Sequence, residues 1–203
     1  MKIKVFAHHR DFFRWRTLIQ VGDDWSIRGT VFMKNPGSSS PTINPITETE
    51  LSNLNKIDNT AGWFNFTVDP TMNAIVNLFR KRDEYKGNTF EGIIQIFNIT
   101  NVMSPNVGEA VRMFQSTSDP LKSTWEDDIK HIVPPIYIGW GDFYRHHLVK
   151  HIGSSILTTI QAKEDIKYLA DAGFIHPLYL MVYGANKQKC IAIRESFFKT
   201  PFQ

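Results

Sequence analysis

"GTVFMKNPGSSS", residues 29–40, begins as a short run rich in β-branched and aromatic residues and then breaks into Asn-Pro-Gly and three serines. The run is apolar on both faces, which is how a central strand covered by helices looks. Its stop is a turn sequence, because Pro fixes φ and Gly accepts positive φ. The first expectation is therefore a sheet buried on both sides, whose central strand delivers a polar turn to one edge.

Two further runs share this character. "EGIIQIFNIT" (91–100) reads as a second buried strand, and "PPIYIGWGD" (134–142) as a third that ends on glycines. Helical patterns separate them. In "DPTMNAIVNLFRKR", Asp69 suits the N-cap and Pro70 the first helical position, and Met72, Ile75, Val76 and Phe79 follow the spacing of one helical face. "SPNVGEAVRMF" repeats the logic with Ser104 as cap and Val107, Ala110, Val111 and Phe114 on one side. "STWEDDIKHI" (123–132), "FYRHHLVKHIGSSILTTI" (143–160) and "EDIKYLADAG" (164–173, with Gly173 as stop) are further helix candidates, and "FIHPLYLMVY" (174–183) reads as a last extended run. Strands alternating with helices predict a three-layer α/β/α domain with a mostly parallel sheet of about four strands. "RWRTLIQVGDDWSIR" (14–28), two extended runs around Gly-Asp-Asp, predicts an N-terminal β-hairpin at its edge.

Between the first strand and the Asp69 helix lies a polar tract, about residues 38–66, full of Ser, Thr, Asn and Pro. A tract that long without sustained periodicity reads as a lid or an excursion, with a helical turn or two in "ITETELSNLNK". The 203 residues suit one domain with this insertion. Apolar content of 42% against 21% charged is ordinary for a soluble chain, and a net charge of +3 lacks the concentrated basic stripe of a dedicated nucleic-acid binder. Cys190 is the single cysteine, so no disulfide forms within the chain and a reducing compartment is expected. The start "MKIKVFAHHRDFF" lacks a signal-like apolar run and no segment is long enough to cross a bilayer, so the expectation is a cytoplasmic protein with no membrane partner.

Ligands of such sheets bind beyond the carboxyl ends of the strands. The residues there are Asn35, Pro36, Gly37 and Ser38, then Asn98 through Asn101, then Gly139, Trp140, Gly141 and Asp142, and finally His176 and Pro177. Each piece also has a plain structural reading: Asn-Pro-Gly as a turn, the glycines of "GWG" as packing, Trp140 as core, His176 as a satisfied buried histidine, Asp69 as a helix cap. Four polar or glycine-rich ends converging on one edge favour a site. His147 and His151, four apart, have a spacing that can bind metal, but no third ligand accompanies them, so a polar helix surface is the better reading and neither metal nor cofactor is expected. Cys190 lacks a base nearby in sequence. No P-loop, dinucleotide fingerprint or nucleophile elbow occurs.

Read in order, "LIQVGDDWSIRGTVFMKNPGSSS", "DPT", "FNITNV", "IYIGWGD" and "HPLYL" resemble a bacterial and phage domain of unknown function, the family numbered 1643, over roughly residues 14 to 181. Gly37 stands where that family usually has Ser. Asn35-Pro36-Gly37 and the late His176-Pro177 also resemble, in motif order, the uracil-DNA glycosylases, with Leu178 where those enzymes have Ser. This second resemblance implies a uracil-DNA glycosylase-like fold and N-glycosidase-type chemistry. Cleaving a glycosidic bond develops positive charge on the sugar and negative charge on the departing base. Asn35 would position the attacking water with Asp69 as an alternative base, and His176 would donate to the base. Trp140 would stack on that base, and the serines after Gly37 would meet a phosphate. The partners implied are a nucleobase, a nucleotide or a single-stranded nucleic acid. A non-catalytic nucleotide-, nucleic-acid- or protein-binding module on the same fold remains the alternative, and oligomeric state is not legible.

Overall fold

Ile27–Met33 lies inside a sheet, between Gly92–Asn98 and Ile136–Ile138, and pairs with both in parallel. The protein is seen here as a computed structural model that describes residues 2–37, 39–141, 147, 149–162 and 174–199. In chain order its strands are β1 (Ile3–Arg10), β2 (Phe13–Val21), β3 (Ile27–Met33), β4 (Trp63–Phe66), β5 (Gly92–Asn98) and β6 (Ile136–Ile138). Its helices are α1 (Glu48–Ile57), α2 (Pro70–Tyr85), α3 (Val107–Ser116), the short α4 (Trp125–Asp128), α5 (Lys150–Gln161) and α6 (Gln188–Lys199). The sheet runs β4-β1-β2-β5-β3-β6.

The α/β class holds, but among the described residues the sheet has six strands and is mixed: β3, β5 and β6 are parallel, whereas β1, β2 and β4 add antiparallel pairs. The expected hairpin at 14–28 is not formed. β2 pairs instead with β1, before it in the chain, and β5 inserts between β2 and β3. The Gly-Asp-Asp loop therefore crosses the start of β5, where Ser26 O accepts from Ile93 N at 2.8 Å. Gly92 permits the crossing: its φ is +123°, and a Cβ there would sit 2.8 Å from Ser26 O.

Side chains alternate across the sheet into two main cores. Val31 and Met33 of β3 face α2 and α6 with Ile75, Phe79, Ile193 and Phe197. Phe32 between them faces α3 and α5 with Val111, Phe114, Ile152 and Ile156. A third cluster joins Phe6 and Leu18 to Leu54 of α1 and Trp63 of β4.

The polar tract is built into this frame. Thr47 and Glu50 form a capping box that starts α1, Leu54 is fully buried, and β4 adds an edge strand on β1. α2 starts where its pattern predicts, with Asp69 Oδ1 accepting from Met72 N at 2.8 Å and Pro70 in the first turn. α3 starts at Asn106, two residues beyond the expected cap, and Ser104 Oγ accepts from Asn106 N. The 123–132 segment is α4 followed by a 3₁₀ turn. "FIHPLYLMVY" is not extended: Tyr179–Tyr183 forms a π-helical turn against α2, with Leu180 buried in the core shared by α2 and α6. The expected 164–173 helix falls outside the described residues. No helix among the described residues is long and apolar enough to cross a membrane.

Candidate functional site

The turn after β3 is locked by its own first residue. Asn35 Nδ2 donates to Pro36 O and Ser104 O, each at 2.9 Å, and more loosely to Val102 O at 3.4 Å. This stitches the β3 exit to the β5 exit, whose backbones also pair through Ile99 N–Met33 O and Thr100 N–Lys34 O. The amide nitrogen is thereby committed, and Oδ1 is the atom left to meet a ligand or water.

Above this stitched floor lies a cleft of about 340 Å³. Asn35, Pro36, Gly37, Asp69, Asn98 and His176 line it together. Its apolar wall is Met33, Met72, Ile75, Ile96 and Leu178, drawn from both sides of the sheet–α2 seam. Asp69 reaches it from the N-terminus of α2 with one oxygen engaged as the cap, the other lying 3.6 Å from where a Gly37 Cβ would be.

His176 is held as a neutral imidazole. Burial, helped by the positive charge of Lys34, pulls its pKa down to about 4. Nδ1 accepts from Leu178 N at 3.3 Å, which leaves the proton on Nε2 and makes that nitrogen a donor. A neutral donor of this kind stabilises developing negative charge without first giving up a proton.

Among the cleft residues that escaped sequence reasoning, Arg14, Thr17 and Lys34 bring the charge and hydroxyl of the β2 and β3 ends. Because β2 runs antiparallel to β5, the start of β2 reaches the edge where the parallel strands end. A β-bulge then aims the side chains. Arg16 has φ +46°, and the β1–β2 register slips between Phe6 and His8. Trp15 and Arg16 consequently line one pocket on one face, while Arg14 and Thr17 line the cleft on the other. The available signal was two arginines within an apolar strand, which have to be placed somewhere polar.

Several expected residues are elsewhere. Trp140 is 1% exposed and packs between Phe32 and Phe174 in the α3/α5-side core, so it cannot stack on a ligand. Gly139 serves close packing: a Cβ would meet Pro177 Cδ at 2.9 Å and Met33 Sδ at 3.1 Å. Pro177 is buried by that contact and Gly141, at φ +62°, turns the chain after β6; neither lines the cleft. Asn101 Nδ2 donates to Leu121 O and Thr124 Oγ1, an anchor for the 120s loop and not a ligand group. Ser39 is buried with its Oγ donating to Thr67 O, and Ser40 is exposed. Ser38 and Asp142 lie outside the described residues. His147 stands in a turn before α5 and His151 in its first turn, so helical spacing does not relate them. No described cluster of His, Cys, Asp and Glu is suited to hold a metal ion.

On the other side of the bulge is a second polar pocket, of about 530 Å³, with Arg16, Asp58, Asp128 and His131. Arg16 Nε lies 3.5 Å and His8 Nε2 3.6 Å from Asp58 Oδ2. Burial pushes Asp128 up to about 7, against the opposing hydrogen bond from Thr124.

Compared with known proteins, the chain matches no family model, no curated protein and no solved structure.

Proposed function

We propose that the cleft binds a nucleobase-containing small molecule and hydrolyses its N-glycosidic bond. The observation that carries this reading is the meeting of three groups in one cleft: the oriented Asn35 amide, the Asp69 carboxylate and the neutral His176 with its Nε2–H. In the proposed reaction Asn35 Oδ1 holds a water and Asp69 takes its proton. The water adds to the sugar's anomeric carbon as the C–N bond breaks, and His176 donates a hydrogen bond to the charge left on the base. The order of Asn35-Pro36-Gly37 and His176-Pro177, which resembles that of uracil-DNA glycosylases, points the same way. With Trp140 in the core, Met33, Met72 and Ile96 would take the base's faces.

The test is free base released from labelled nucleosides, nucleotides and single-stranded DNA. Asp69→Asn keeps an acceptor for Met72 N while removing the base, so turnover should fall by about a hundredfold or more. Unchanged turnover would remove Asp69 from the chemistry. The second reading, a binding module, is favoured by Asn35 Nδ2 being occupied by three carbonyls. Saturable binding with no base release would establish it.

A further inference from the structure

We propose that the cleft grips its ligand by a phosphate group, with Arg14 and Lys34 as its counter-charges; this rests on the nucleotide-handling reading above and names which form of the ligand is bound. Three arginines are buried among the described residues. Arg16 has Asp58 as its ion partner and Arg82 has Asp83. Arg14, 3% exposed, has no carboxylate of the described residues within ion-pair distance. Its Nη1 donates to Ser39 O at 3.0 Å and its plane lies over Phe66, but Nε has no acceptor. A buried cation without a partner is costly, and here the unpaired side chain lines a cleft.

Lys34 stands on the same cleft, and burial depresses its pKa as well. Set against these two cations is one carboxylate, Asp69, which acts on Arg14 only through space and has one oxygen engaged at the α2 N-terminus. Asn98 adds an amide that makes no hydrogen bond among the described residues, and Thr17 a hydroxyl without a partner. Two cations fit a phosphate monoester, which carries about −1.5 to −2 at neutral pH, better than a single-charged carboxylate. A charged guanidinium that is already fixed by Ser39 loses little entropy on binding. The volume, about 340 Å³, is at the small end of ligand sites and suits a mononucleotide or one phosphorylated strand end.

The experiment is isothermal titration of each nucleoside against its 5′-monophosphate, with inorganic phosphate alone and a short oligonucleotide with and without a 5′-phosphate. The 5′-monophosphate should bind at least tenfold tighter than its nucleoside. Lys34→Gln, at a half-exposed position that need not disturb folding, should remove about tenfold or more of that preference, the value of one charge-assisted bond. Arg14→Lys keeps the charge but not the fork and should also weaken binding. Equal binding of nucleoside and nucleotide, a preference untouched by both variants, or no binding of any probe would overturn the inference. A strand end preferred over the mononucleotide would place the phosphate on nucleic acid. Phosphate-dependent binding without base release would remove the cleavage reading and leave this one standing; base release indifferent to phosphate would do the reverse.

Discussion

Asn35, His176 and Asp128 are each shaped by burial, with different consequences. Removing the Asn35 side chain leaves the buried Ser104 and Pro36 carbonyls without their donor, at about 1–3 kcal/mol per unsatisfied group. Asn35→Ala should thus lower the urea midpoint as well as any activity, so its kinetic defect alone says little about chemistry. His176, held at about 4 in the fold, titrates near 6.5 when unfolded. Between those values the unfolded chain binds more protons, so the His176 contribution to stability is present above about pH 6.5 and is lost as pH falls towards 4. His176→Gln should flatten that part of the stability–pH curve, and wild-type turnover should show no His176 step near pH 6.5. Asp128 has the opposite sign. The folded state holds its proton up to about pH 7, so stability falls as pH rises from about 4 to 7. Asp128→Asn, which can still accept from Thr124, should be more stable than the parent at pH 8 by an amount on the order of 1 kcal/mol or more, and indistinguishable from it near pH 4. A change in stability between pH 4 and 8 that is the same in parent and variant would contradict this.

Elements form where local chemistry and packing agree. α2 has both: a cap, a proline in its first turn and a continuous apolar face, and it buries Met72, Ile75, Val76 and Phe79. α1 has the cap but little apolar face, which is why its sequence suggests only a turn or two. Its length comes from Leu54 reaching the cluster with Phe6 and Trp63. Thr47→Ala should therefore cost about 1 kcal/mol and loosen α1 selectively, seen as faster amide exchange at its first turn. β5 depends on Gly92 instead. Gly92→Ala brings a methyl group onto Ser26 O at a φ that side chains rarely adopt, so several kcal/mol should be lost and thermal unfolding should move down accordingly. A change within experimental error would mean that the 22–26 crossover can shift aside.

At the scale of the whole molecule, the tract over residues 39–66 is a structural edge. Thr42 N–Asn65 O and Thr67 N–Ser40 O tie it to β4, and β4 to β1. Limited proteolysis should spare 47–66 and, if anywhere in the tract, cut near the fully exposed Ile43. The sequence by itself determined the α/β class, the helix cap at Asp69, the three buried strands of the parallel half, and the place of Asn35 and Asn98 at their carboxyl edge. All of these rest on local periodicity, on turn chemistry or on the rule that parallel strand ends share an edge. Which strand pairs with which was decided only by tertiary structure, because a strand apolar on both faces carries no label for its neighbour, and β5 slips between β2 and β3 from some sixty residues downstream. The same holds for Trp140, whose apolar ring fits a core or a ligand equally well until Phe32 and Phe174 surround it. It holds above all for Arg14, which reaches the cleft only because β2 runs antiparallel, and which is joined there by Thr17 because the bulge at Arg16 puts Trp15 and Arg16 together on the opposite face.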